Sequence, residues 1–453
     1  MEEQRKYWNM EMESILNTQE MKEIQLAKIK KLVKRLYESK SFWKERMDKA
    51  GVKPHDIKTL DDFRKRIPVM DKAQRHQLAE KCEMDMTKVV DKMIGVPMED
   101  LRMMAATSGT TGEPTPYPHT QHDIEWLSEV HARMLWRIGI RPGSRIIHAF
   151  GLSMFWAGVP YSFFFQKVGA CVFPVGAEGG TERILRFLKL FKADTLAGTP
   201  SLAEHLIEKA PEVMGDSVGN LGIKRLYCAG EPGAGIPEVR KKLESSYGAK
   251  LYDHGAAFGI SCDYPEYQGM HHVSDDKIFY ELIDPDTGDP LPFEDGVRGV
   301  PVQTTLEGEG ILWFRESLGD IAQIFTEPCP CGQTGFRYKI VGRVDDMLKI
   351  KGAMVYPAAI DGVITGFVPR VTGEFRIVLD APPPRVVPPL KLKVEYGEAV
   401  REEELDNLAK EIEEAMHAKC KFRPKILWVP PQSIERYTYK TKLIEKAYEK
   451  KKE

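Results

Sequence analysis

The stretch Ala106-Thr107-Ser108-Gly109-Thr110-Thr111-Gly112-Glu113-Pro114-Thr115 crowds hydroxyl residues and glycines ahead of a proline. Glycine lets a backbone approach an anion closely, and consecutive N–H groups with Ser/Thr hydroxyls can surround phosphate oxygens. The Gly-Lys-Ser/Thr ending of a Walker loop is missing. A polar turn has the same composition, so phosphate cradle and plain turn both stand on these residues alone.

A second chemical cluster is Cys329-Pro330-Cys331-Gly332. Two thiolates beside turn residues suit zinc but do not close a tetrahedral site. Cys262 and His271-His272 lie upstream and complete a four-ligand set as Cys262, His271, Cys329 and Cys331, with His272 as the substitute for His271. The alternative is a pair of reduced thiols in a loop. The lysine-rich tail around Arg436-Tyr437-Thr438-Tyr439-Lys440-Thr441-Lys442 reads by composition as a solvated face.

These residues need a scaffold. The chain has 453 residues, 42% hydrophobic and 29% charged, enough for two or three domains around a substantial core. The net charge of -2 gives no electrostatic case for nucleic acid or an anionic membrane, and no apolar run reaches bilayer length. Seven cysteines without a secretion signal point to a reducing cytoplasm. Residues 1–50 carry helical spacing at Ile24, Leu26, Ile29, Leu32, Val33 and Leu36. From 101 to 260, apolar runs at 145–150, 170–174, 195–198 and 225–230 alternate with helical stretches at 123–138, 181–192, 201–209 and 236–247. The alternation predicts an α/β fold with a largely parallel sheet, and ligands beyond the carboxyl ends of its strands. Short β runs dominate 278–325. Residues 346–453 read as a small α+β unit with a strand at Leu390–Tyr396 and a charged helix at Arg401–Ala418.

The order Thr-Ser-Gly-Thr-Thr-Gly-x-Pro-Thr at 107–115 resembles the signature loop of adenylate-forming enzymes. The segments around Tyr7-Trp8-Asn9 and Ala50–Ile57 are similar to the N-terminal part of phenylacetate–CoA ligases, and Gly352–Asp361 resembles their later sequence. That resemblance implies a large N-terminal domain (1–343) with mostly parallel sheets and a β-rich subdomain, and a small mobile α+β domain (344–453). It implies an acid:CoA ligase that uses ATP with Mg²⁺ and coenzyme A and passes through an acyl-adenylate. Ser108, Gly109, Thr110 and Thr111 would then clamp phosphates. Ala229-Gly230-Glu231-Pro232 and Asp253-His254-Gly255 would hold adenine. Asp320 would accept hydrogen bonds from the ribose diol, a task that suits a carboxylate, and Arg343 would contact ribose or phosphate. In Gly342–Gly352, Asp345 would be the hinge, and Lys349, Lys351 and Gly352 would lie on the CoA side. Lys440, preferred over Lys442, would neutralise charge during adenylation. Some of these relatives hold a structural zinc on a matching Cys…His…Cys-x-Cys arrangement.

The chain departs from the pattern at one point. Most relatives have Tyr-Gly-x-Thr-Glu where this chain has His254-Gly255-Ala256-Ala257-Phe258. His254 can replace the adenine-packing ring, but Ala257 and Phe258 supply neither hydroxyl nor metal-binding carboxylate, with Glu231 as the substitute. Phe150, Gly151, Phe155, Trp156, Ala256 and Phe258 are the acid-pocket candidates. If these aromatics line the pocket rather than the core, they shrink it toward a short branched or hydroxy acid and away from an aryl acetate. The expected partners are small molecules, with no nucleic acid or membrane, and a homodimer is compatible with the sequence. Adenylyl transfer to a deazaflavin without CoA, and a degenerate nucleotide-binding paralogue, are the rival functions.

Overall fold

A computed structural model describes residues 5–39, 41–106, 115–231, 233–255, 258–317, 319–344, 346–350, 353–383, 385–436 and 443–448. The N-terminal helices α1 (Met10–Ser14), α2 (Gln19–Ser39), α3 (Ser41–Lys49), α4 (Leu60–Arg66), α5 (Lys72–Lys81) and α6 (Met86–Met93) come first. Ile29, Leu32, Val33 and Leu36 of α2 all face one core with Trp43 and Phe63, as their spacing predicts. An antiparallel hairpin follows, β1 (Leu101–Ala106) and β2 (Pro116–Thr120).

The α/β alternation then unfolds as α7 (Gln121–Arg137), β3 (Arg145–His148), α8 (Val159–Lys167), β4 (Cys171–Pro174), α9 (Thr181–Leu190), β5 (Thr195–Gly198), α10 (Pro200–Met214), β6 (Arg225–Ala229), α11 (Pro237–Tyr247) and β7 (Lys250–Gly255). Strands β4-β3-β5-β6-β7 are mutually parallel. Alternate residues serve opposite faces. Ile146 and Tyr227 join the core under α7 and α8, whereas Ile147, Leu226 and Cys228 join the core under α9, α10 and α11. Both faces are covered, so these strands read as continuous apolar runs. A capping box at Thr120 and Asp123 starts α7. The buried Asp123 also accepts from the Gly310 and Ile311 N–H groups, tying the helix to a distant loop.

Past β7 the same sheet turns antiparallel. β8 (Gly259–Ser261) and β9 (Met270–His272) lead to β10 (Ile278–Ile283), β11 (Arg298–Thr305), the short β12 (Glu316–Ser317), β13 (Asp320–Phe325) and β14 (Arg337–Arg343). Twelve strands share this sheet among the described residues. The expected parallel sheet is β3–β7, and the expected β-rich part continues the same sheet.

The remainder contains β15 (Leu348–Ile350), β16 (Ala353–Val355), α12 (Pro357–Thr365), β17 (Val371–Leu379), β18 (Arg385–Val386), β19 (Lys391–Tyr396), α13 (Leu405–Cys420), β20 (Lys425–Val429) and β21 (Ile444–Lys446). Strands β20-β19-β17-β21 form a four-stranded sheet. α12 and α13 bury Ile360, Ile364, Ile412 and Met416 against its Phe375 and Leu392. No helix of the described residues is long and apolar enough to cross a membrane.

Candidate active site

Of the expected site residues, Ser108, Gly109, Thr110, Thr111, Pro232, Ala256, Asp345, Lys351, Gly352, Lys440 and the alternative Lys442 lie outside the described residues, as does the side chain of Lys349. The structure fixes what flanks them. Ala106 pairs with Pro116 across the β1–β2 hairpin, so the two ends of the 107–115 stretch are held together. The Ala106 N–H donates to the Met154 carbonyl at 2.6 Å, and the Trp156 N–H donates to the Ala106 carbonyl at 3.0 Å. Ala106, just before that stretch, is thereby stitched to the 154–156 segment.

Ala229-Gly230-Glu231 and Asp253-His254-Gly255 emerge side by side at the carboxyl ends of β6 and β7, with Cys228 opposite Asp253 and Ala229 opposite His254. Ligands of open α/β sheets bind at such strand ends. Gly230 turns the chain with φ +93°, a conformation that favours glycine. Glu231 Oε1 accepts from the Ser201 N–H at 2.7 Å, at the start of α10. Asp253 accepts from the Tyr267 hydroxyl at 2.6 Å, and burial raises its carboxyl above the usual range.

Asp320 and Arg343 are direct cross-strand partners on β13 and β14 and form an ion pair at 2.7 Å. They come from Gly319-Asp320 and Gly342-Arg343, two motifs far apart in sequence, and both remain accessible to solvent at 16% and 30%. A carboxylate acceptor and a fixed guanidinium at one point suit a ligand carrying both hydroxyls and anionic oxygens.

Several expected positions turn inward instead. The ring of His254 is buried. Its Nδ1–H donates to the Gly259 carbonyl at 2.9 Å, and its Nε2 accepts from the Tyr161 hydroxyl at 2.7 Å. One face stacks on Tyr227 with centroids 5.3 Å apart. Both edges and a face are thus engaged within the protein, so His254 does not present the exposed ring expected to pack on adenine. Burial lowers its pKa to about 4, keeping it neutral. Phe258 adopts φ +52° and is buried among Trp126, His131 and Trp313. Phe150 is likewise core, whereas Phe155 and Trp156 are half-buried, with Trp156 stacked on His119 at 5.2 Å. Gly151 is buried where the chain passes closely, since a Cβ on Gly158 would lie 2.4 Å from the Gly151 carbonyl oxygen.

Cys262, His271, Cys329 and Cys331 do come together. One ligand atom from each lies within 4.8 Å of all the others. Cys262 Sγ and Cys329 Sγ are 3.9 Å apart, and Cys331 Sγ is 3.4 Å from His271 Nε2. Zinc–sulfur bonds of about 2.3 Å at tetrahedral angles place sulfurs about 3.8 Å apart, so the donor set fits zinc. His271 Nδ1–H donates to the Thr334 carbonyl at 3.1 Å, leaving Nε2 as the lone-pair donor toward the cluster. His272 instead faces Asp275 at 3.2 Å and stacks on Phe336. The loop that carries the two downstream cysteines is anchored from outside: Arg137 donates to the Thr334 carbonyl at 2.8 Å, and Thr334 Oγ1 donates to the Glu13 carbonyl at 2.7 Å.

Sequence reasoning missed His131 and Tyr161, which surround His254 and Phe258. The available signal was a histidine inside the apolar stripe Trp126, Leu127, Val130, Met134 and Leu135 of α7.

A parallel α/β half continues into an antiparallel extension that carries the Asp320–Arg343 pair, with a glycine turn after β6, and this architecture is that of adenylate-forming CoA ligases. The AMP-binding enzyme C-terminal domain profile matches residues 352–446. A phenylacetate-coenzyme A ligase of Thermus thermophilus is 32% identical over 418 residues, 91% of this chain and 89% of the relative. The crystal structure of a 2-hydroxyisobutyryl-CoA ligase in the postadenylation state, in complex with R3-HIB-AMP, superposes with a TM-score of 0.88 at 28% identity, covering 99% of this chain and 94% of that one. The same ligase in its thioesterification state, with 2-HIB-AMP and CoA, gives a TM-score of 0.68 at 30% identity over 98% and 92% of the two chains. The chain belongs to the phenylacetate–CoA ligase family of adenylate-forming enzymes.

Proposed function

We propose that this chain is an ATP-dependent carboxylic acid:CoA ligase. The carboxylate attacks the α-phosphorus of ATP, expelling pyrophosphate and leaving an acyl-adenylate. The CoA sulfur then attacks the acyl carbon and AMP departs. The mixed anhydride makes AMP a good leaving group, which the free acid lacks. The observation that carries this reading is the solvent-accessible Asp320–Arg343 pair, in a chain similar to an acid:CoA ligase over 91% of its length.

Within this reading, Asp320 holds the ribose diol and Arg343 the ribose or α-phosphate. Ser108, Gly109, Thr110 and Thr111 clamp the β- and γ-phosphates, and Lys440, ahead of Lys442, neutralises charge at the reacting carboxylate. Ala229, Gly230, Pro232, Asp253 and Gly255 bound the adenine. Asp345 is the hinge between a large domain (1–343) and a small one (344–453), with Lys349, Lys351 and Gly352 facing CoA. Mg²⁺ rides mainly on the triphosphate and water, because Glu231 already caps α10 through Ser201. A structural zinc on Cys262, His271, Cys329 and Cys331 ties β8 and β9 to the 329–334 loop. The acid is an aryl acetate or a short branched or hydroxy acid.

Acid-dependent pyrophosphate–ATP exchange, followed by AMP release on adding CoA, tests the reading. Exchange that never becomes CoA-dependent would instead favour adenylyl transfer to another acceptor.

A further inference from the structure

We infer that His131 selects the acid substrate, its Nε2 accepting a hydrogen bond from a hydroxyl on the carboxylic acid. The inference rests on the ligase reading and names the substrate class within it.

His131 lies on α7 and is 1% exposed. Its Nδ1 is 2.8 Å from the Leu127 carbonyl oxygen one turn back. A carbonyl only accepts, so Nδ1 carries the proton and Nε2 presents a bare lone pair. That Nε2 is buried and has no hydrogen-bond partner among the described residues. Burial, reinforced by the neighbouring His254, holds the ring well below the ordinary histidine pKa, so it stays neutral and remains an acceptor.

Among the described residues none donates to this nitrogen. Phe164 stacks on the ring with centroids 3.9 Å apart, and Phe258 meets it edge-on at 5.6 Å. Tyr161, at 5.0 Å, carries the nearby hydroxyl, and that hydroxyl is spent on His254 Nε2. A buried acceptor left unpaired destabilises the fold, and phenylalanine would fill the same apolar space without that cost. Two residues expected in the acid pocket stand in the same ring cluster: Phe258 packs on His131, and Phe150 packs on Tyr161 at 5.7 Å. A ligand that satisfies Nε2 must donate. An ionised second carboxylate or an ether cannot, and among the described residues no carboxylate acts on this ring to balance an ammonium. A neutral hydroxyl on a compact acid fits.

The test compares hydroxylated and deoxy acids in matched pairs: glycolate with acetate, 2-hydroxyisobutyrate with isobutyrate, 3-hydroxybenzoate with benzoate, and 4-hydroxyphenylacetate with phenylacetate. CoA-dependent AMP formation gives kcat/KM for each. The wild type is expected to prefer the hydroxylated member of its best pair by ~10- to 100-fold, the penalty of leaving one buried neutral acceptor unpaired. His131→Phe should erase most of that preference while keeping turnover of the deoxy acid. Equal use of both members by the wild type would overturn the inference without needing any variant. So would a parallel loss on both acids in His131→Phe, since that marks packing alone. No acid-dependent AMP formation with any pair would defeat the ligase reading itself, a separate and recognisable outcome.

Discussion

Two neighbouring regions of the large sheet behaved oppositely. At the Cys262–His271–Cys329–Cys331 cluster, ligand atoms from residues 262 to 331 come within 4.8 Å of one another. Around the end of β7, His254 and Phe258, expected at the nucleotide and acid sites, are both drawn into the core. The difference lies in constraint. Four ligands must satisfy one geometry together, so finding all four in sequence is strong evidence that they meet. A lone substitution in a motif carries no such joint requirement. The His254 ring lies where its own hydrogen bonds and stacking are satisfied, against Tyr161 and Tyr227.

The comparison can be broken most sharply at the Asp320–Arg343 pair, which should behave as function where His254 behaves as core. Asp320→Ala should lower acid-dependent pyrophosphate exchange by ~100-fold or more, in line with losing a positioned polar group at a reacting centre. A change under threefold would remove the pair from the site. Next in size, Cys329→Ser should release bound zinc, measured by metal analysis, and lower the melting temperature by about 5 °C or more. Equal zinc content in variant and wild type would show that the cluster is three reduced thiols beside a histidine, with no metal.

His254→Phe keeps a ring for the stack on Tyr227 but strands the Tyr161 hydroxyl. It should cost about 1–3 kcal/mol of stability by chemical denaturation and leave the KM for ATP within about threefold. A large rise in that KM with stability unchanged would restore the adenine-packing role. The smallest effect concerns Asp361 on α12. Burial first, then the nearby Glu204, pushes its carboxyl from 3.8 to about 7, with Thr365 as a hydrogen-bond donor. The fold favours the protonated acid, so its contribution is fullest below the unfolded value and declines as pH rises through 7. Asp361→Asn should therefore be more stable than wild type at pH 8 by roughly 1 kcal/mol, with the gap closing toward pH 5. A pH-independent difference would contradict this.

Much of the scaffold was legible because its signals are local. The apolar runs at 145–150, 195–198 and 225–230 became β3, β5 and β6, and the stripe at Ile29–Leu36 became one face of α2. Boundaries suffered where a local rule was overridden. The expected helix at 201–209 continues through Pro211 to Met214 and stops only at Gly215, in the left-handed conformation. The continuity of the antiparallel strands with the parallel half was not legible, because pairings such as Asp320 with Arg343 and Arg337 with His271 join segments far apart in sequence. The fate of His254 was hidden for the same reason, since its hydroxyl partner Tyr161 lies 93 residues upstream. His131 carried a readable clue, a polar residue in an apolar stripe, but its free Nε2 is defined only by the rings that enclose it.

The central claim, that this fold joins an acid to CoA through an adenylate, is tested most directly by product analysis. With ATP, Mg²⁺, CoA and an acid that supports pyrophosphate exchange, mass spectrometry should detect the acyl-CoA thioester in one-to-one yield with AMP. AMP and pyrophosphate produced with no thioester, under conditions where the acyl-adenylate forms, would contradict the account.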